Sequence, residues 1–289
     1  MGVFQPFEIL WNGYDATLVA ATGAVVTSAL TAVGQLMLGI MTVYVVVCAV
    51  LLAIGQMGIG EVQSRLITAV AVSAALSTSF YTTDIQQFFL TTLPNWIAQA
   101  AGGKSIGAGA QQFDLLFSAV THEANYIQLQ ANGIEYIADD IEVYLALLLC
   151  YAALGLCFNV WACAQVLTAV VICVGPFVVP GYLFKATKGV ADRWMSKLIG
   201  LMILLLLVNI LLQIIIHQDA TLYQQLAGNQ GTGVVEEIEV LWEIVLVFGF
   251  GTFIFFLLPS IAVYIGGGVS FAPAAIFVAA ATMIVPRRK

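Results

Sequence analysis

This chain has very little charge. Of its 289 residues, 9 are Lys or Arg and 16 are Asp or Glu, 9% in all. A soluble domain carries about 25%. With 61% hydrophobic residues, the deficit is too deep for a soluble core of this size. Membrane spans account for it directly, because a charge at mid-bilayer costs at least ~2.5 kcal/mol. Histidine is nearly absent: His122 and His217 are far apart and have no ligand spacing. The five cysteines, Cys48, Cys150, Cys157, Cys163 and Cys173, all lie in apolar runs without a C-x-x-C pair. They read as small buried hydrophobes rather than metal ligands or a disulfide framework. A net charge of −7 offers no bulk attraction to nucleic acid.

The catalytic and processing motifs also fall short. Gly103-Lys104-Ser105 resembles the end of a phosphate-binding loop, but the first glycine of that motif falls on Ala98. His122-Glu123 lacks the second histidine of a zinc-protease helix, since Tyr126 stands there. The start of the chain has no basic region, so no cleaved signal is expected. Pro6 occupies the position where a myristoylation motif needs Ser or Thr. No catalytic, cofactor or metal site is expected.

What the chain does have is long apolar runs. A hydrocarbon layer ~30 Å thick takes about 20 apolar residues in a helix. Residues 1–34 read as an N-terminal interfacial segment, with Trp11 and Tyr14 as anchors and a small-residue helix over about 17–33. Residues 35–81 hold a first transmembrane pair, a firm helix over 35–55 and a weaker Ala/Ser/Thr-rich one over 64–81. Residues 82–142 read as an extramembrane helical region with a glycine-rich linker at 102–109. There, Phe113, Leu116, Phe117, Val120, Ala124 and Ile127 share one helix face. That face packs either on its own subunit or the membrane, or against a partner protein. Residues 143–289 form a C-terminal transmembrane region. Its first run, 143–184, is long enough for two spans, or for one span and a broken piece bent at Pro176 and Pro180. Spans follow at 198–217 and 240–264, with a membrane-embedded segment at 270–285. The fold class is all-α and polytopic, with about five to six transmembrane helices plus interfacial or re-entrant ones.

Seven of the nine basic residues fall in 185–197 and 287–289. Lys and Arg near spans mark the cytoplasmic side, so both stretches, and with them the C-terminus, are expected there. Charge alone leaves the side of 82–142 open. A hairpin over 143–184 would put it with the basic patch, and a single crossing would put it opposite.

The run Gly175-Pro176-Phe177, then Phe184-Lys185-Ala186-Thr187-Lys188, then Asp192-Arg193-Trp194 resembles the TrbL-like, VirB-type family. These are polytopic inner-membrane subunits of type IV secretion and conjugation systems. The resemblance covers most of the chain in layout and about twenty residues in motif. It implies a non-enzymatic subunit of the bacterial inner membrane with a periplasmic region at 82–142. The implied roles are helping DNA or protein substrate across the membrane and supporting pilus or stalk assembly. The implied partners are the lipid bilayer, other secretion subunits, ATPases and copies of itself in a five-fold homo-oligomer. The motif residues Gly175, Pro176, Phe184, Lys185, Thr187, Lys188, Arg193 and Trp194 serve either as topology signals and interface anchors or as a cytoplasmic contact with a partner or substrate.

Two other classes compete. A small-solute transporter or ion channel usually carries ionisable residues within its spans. Here the spans offer mainly the amides Asn159, Gln165, Asn209 and Gln213, which commonly bond helix to helix. An intramembrane enzyme would need a nucleophile and base, or a metal cluster, at membrane depth.

Overall fold

The computed structural model describes residues 5–100, 107–130, 137–228 and 234–266. Those residues are helical nearly throughout and contain no strand. This is the expected all-α class. Apolar side chains in lipid leave the backbone no solvent partner, so the chain satisfies its own N–H and C=O groups within helices.

The first helix, α1, runs unbroken over Pro6–Ala53, 48 residues. The sequence pattern divides this stretch into two pieces near residue 34, and the structure does not. Gly34 stands there, but a single glycine costs a helix only about 1 kcal/mol, too little to end one so apolar. The helix stops where Gly55 takes φ +71°. Gln56 N–H then reaches back to Leu51 O at 3.0 Å, the left-handed ending that glycine permits. Helix α2, Ile59–Ala75, follows, with Glu61 and Arg65 paired at 2.9 Å one turn apart.

At Leu76 and Ser77 the chain bends by 65°. A helical stretch then continues through the single turn α3, Thr78–Phe80, and two π-helical runs, Tyr81–Gln86 and Phe88–Thr92, into α4, Leu93–Ala100. Together with α2, the stretch Thr78–Ile97 makes a bent helix pair that is long and apolar enough for one span. Helix α5 is Gly107–Gln130.

Residues 143–184 form no hairpin. Helix α6, Ile137–Val178, crosses the whole stretch and passes into a 3-10 turn, Val179–Leu183. Helix α7, Lys185–Gly228, returns, and α8, Val234–Gly266, completes the bundle. Among the described residues four helices are long and apolar enough to span a membrane, five with the bent pair. The expected segment at 270–285 and the basic tail lie outside the described residues.

Charge separates along the bundle. At one end, Ala124 and Ile127 of α5 join Val143 and Ala146 of α6 and Ile238 and Leu241 of α8 in one apolar cluster. That cluster gathers the acidic starts of α6 (Asp139, Asp140, Glu142) and α8 (Glu237, Glu239, Glu243). At the other end, Tyr44 of α1 meets Phe184 edge-on at 5.8 Å, and α2 packs on the 3-10 turn. Arg65, Lys185, Lys188 and Arg193 belong to that end.

The helix start at Pro6 is sealed by aromatics. Trp11 meets Trp161 at 4.5 Å, and Phe7 meets Phe158 at 4.9 Å and Phe113 at 5.8 Å. Such pairs add about 0.5–1.5 kcal/mol each beyond area burial. Trp11 is thus a core residue, 3% exposed, and not the interface anchor expected; Tyr14 remains exposed. The docking face of α5 is likewise occupied within the chain. Phe113, Leu116, Val120, Ala124 and Ile127 are buried, and Phe117 stacks on Tyr151 of α6 at 4.6 Å. The partner that this amphipathic face requires is α1, α6 and α8 of the same subunit.

Candidate functional site at the proline break of α6

Pro176 lies inside the last two turns of α6, with Gly175 before it. Two side chains from distant elements converge there. The Tyr81 hydroxyl, from the first π-helical run, donates to the Ile172 carbonyl at 2.7 Å. The Trp194 indole Nε1–H, from α7, donates to the Val171 carbonyl at 2.8 Å. Tyr81 is fully buried and Trp194 is 7% exposed. Trp194, expected either as an interface anchor or as part of a cytoplasmic contact, has its ring enclosed and its N–H committed to α6.

Gly175 makes this approach possible. A Cβ there would collide with the Tyr81 hydroxyl and sit 2.6 Å from Trp194 Cζ2. No side chain fits between the two rings and α6. The glycine and the tryptophan of the motif, 19 positions apart in sequence, are therefore two halves of one contact.

Below the break the chain turns back. Phe184 is the N-cap of α7: its carbonyl accepts Lys188 N–H at 3.0 Å. Its side chain offers no capping oxygen. Thr187 Oγ1 ties the turn by donating to Gly181 O at 2.8 Å. Lys185, Lys188 and Arg193 are exposed, and the first turn of α7 contains no acid. A helix start already carries about half a positive charge. The turn therefore concentrates positive potential that nothing in its own first turn offsets.

Two of the amides within the spans bond locally. Asn159 and Asn209 donate to carbonyls of their own helix, at Gly155 and Leu205. A side-chain link between α6 and α8 is made instead by Cys157 and Thr252, 3.5 Å apart. His122 lies beside Glu123 at 3.5 Å and is largely exposed. Among the described residues no group of three His, Cys, Asp or Glu could hold a metal ion.

The family of TrbL/VirB6 plasmid conjugal transfer proteins matches residues 41–258. This span includes Tyr81, the Gly175-Pro176 break, the basic turn and Trp194. The chain belongs to the TrbL/VirB6 family. Similar proteins include Protein VirB6 of Agrobacterium fabrum, 28% identical over 267 residues that cover 91% of this chain and 90% of that one. Protein VirB6 of Rhizobium radiobacter is 27% identical over the same shares. As a TrbL/VirB6 protein the chain is a multi-pass inner-membrane subunit of a type IV secretion or conjugation system. Sequence reasoning found the motif on α6 and α7 but missed Tyr81. The available signal was the proline itself, since Pro176 has no N–H for the carbonyl four residues earlier.

Proposed function

We infer that this subunit helps form the inner-membrane passage of the secretion system. In that role it moves DNA or protein substrate across the cytoplasmic membrane and supports pilus or stalk assembly. The observation that carries this reading is family membership over a bundle whose charge divides into an acidic and a basic end. The basic end faces the cytoplasm, following the bias of Lys and Arg to that side. The single helix α6 supports a periplasmic side for the opposite end, where the end of α5 meets the acidic starts of α6 and α8. The direction of α8, which runs from the acidic end toward the basic one, supports a cytoplasmic C-terminus. The partners are the other inner-membrane, periplasmic and pilus subunits, the ATPases that supply energy, and further copies of this chain in a five-fold ring. The motif residues Gly175, Pro176, Phe184, Lys185, Thr187, Lys188, Arg193 and Trp194 shape the cytoplasmic turn, and its cations meet anionic headgroups or substrate. Each such contact is worth ~1 kcal/mol near an anionic surface.

Gene deletion tests the role. Loss of both substrate transfer and pilus formation, restored by the intact chain, is the expected result; survival of both overturns it. Labelling of single cysteines tests the orientation. The exposed positions 122, 125 and 129 should react with an impermeant periplasmic reagent, and the exposed positions 185, 188 and 193 should not.

A further inference from the structure

We propose that Tyr81 is a positioning residue for the basic turn, and that its hydroxyl replaces the amide hydrogen that Pro176 lacks. In an unbroken helix the N–H of residue 176 would bond to the carbonyl of residue 172. Proline has no N–H, so that carbonyl loses its helical donor. Ile172 is fully buried, away from water that could serve instead. A buried polar group without a partner is costly. The Tyr81 hydroxyl donates to this same oxygen at 2.7 Å, across 91 residues of sequence. One position earlier, Trp194 donates to Val171 at 2.8 Å. Two neighbouring carbonyls of the break thus tie α6 to the bent helical pair on one side and to the start of α7 on the other.

The arrangement is specific in three respects. The acceptor is the carbonyl that the proline releases. Gly175 leaves a gap wide enough for both rings, since a Cβ would strike both. Tyr81 itself belongs to a π-helical run, where the local ladder is already irregular and a side chain can be aimed differently from a regular helix. The clasp fixes the direction of α6 at its exit, and hence where Lys185, Lys188 and Arg193 are presented. It is a matter of internal geometry and stands apart from the transport role.

A double-mutant cycle in the full-length protein tests it. Pro176→Ala returns an amide hydrogen to Ile172, which makes the Tyr81 hydroxyl redundant. Reversible unfolding in mixed micelles should show Tyr81→Phe lowering the folded-to-unfolded ratio about tenfold with Pro176 present. In the Pro176→Ala background the loss should be less than about twofold. Equal losses in both backgrounds would mean that the hydroxyl serves packing alone and would overturn the proposal. Hydrogen exchange on Tyr81→Phe alone covers the case in which the Pro176→Ala protein fails to fold. Faster exchange over residues 170–178, with the Phe158–Trp161 region unchanged, supports the clasp; unchanged exchange at 170–178 refutes it.

Discussion

The start of α1 and the break of α6 solve opposite problems with borrowed side chains. At Pro6 the start of α1 leaves amide donors without acceptors. Asp114 of α5 supplies both its oxygens, to Phe7 N–H at 2.9 Å and Glu8 N–H at 2.7 Å. At Pro176 the break of α6 leaves a carbonyl without a donor, and Tyr81 supplies a hydroxyl. One site needs an acceptor and receives a carboxylate; the other needs a donor and receives a phenol beside an indole. In both, the partner comes from about a hundred residues away, so a local defect in one helix becomes a tertiary contact between two.

Gly175 is where the contrast breaks most strongly. Gly175→Ala should displace both Tyr81 and Trp194, with a cost of about 3 kcal/mol from overpacking and lost bonds. Unfolding in micelles measures that cost, and loss of substrate transfer should accompany it. A cost below that of Tyr81→Phe alone would show that the two rings have room to move.

Asp114→Ala attacks the other site, leaving one buried and one part-buried amide unpaired at about 1–3 kcal/mol. Asp114→Asn keeps one acceptor and should cost less. Burial holds the Asp114 carboxyl above the ordinary carboxylate range, the two amide bonds draw it back, and the charge of Glu8 adds to the rise. Folding therefore favours the protonated form. Its contribution is complete below the unfolded carboxylate range and fades as pH rises through the folded value. Wild type should lose stability relative to Asp114→Asn across that window, and parallel pH curves for the two proteins would contradict the assignment.

Smaller changes sharpen the contrast. Thr252→Val removes the side-chain link between α6 and α8 described above and should cost about 0.6 kcal/mol, the usual value for such bonds in a membrane. Lys188→Gln touches only the exposed turn and should leave unfolding within about 0.5 kcal/mol of wild type. A larger loss there would mean that the turn takes part in the clasp itself.

Fold class was legible because apolar runs and scarce charge report solvent, and solvent dictates helices. The motif was legible as well, since Gly175-Pro176 and Arg193-Trp194 stand out against apolar surroundings. What joins them was not. Hydrogen bonds from Tyr81 to Ile172 or from Phe7 to Asp114 depend on which helices become neighbours, and periodicity within one segment carries no such record. The burial of Trp11 and Trp194 was not legible for the same reason: an aromatic near a span end suits a membrane interface and a buried cluster equally well. The face of α5 was visible as apolar, but its cover lies on α1, α6 and α8.

The length of α1 has a mechanical consequence. Its 48 residues make a rod roughly 72 Å long at about 1.5 Å per residue. A hydrocarbon layer of about 30 Å could take such a rod end to end only at a lean of about 65°, far beyond the average of about 20° for spanning helices. Leu36, Leu38, Val43 and Val46 are exposed along it. The rod therefore either lies steeply oblique, thinning or displacing lipid beside it, or carries greasy surface clear of the bilayer.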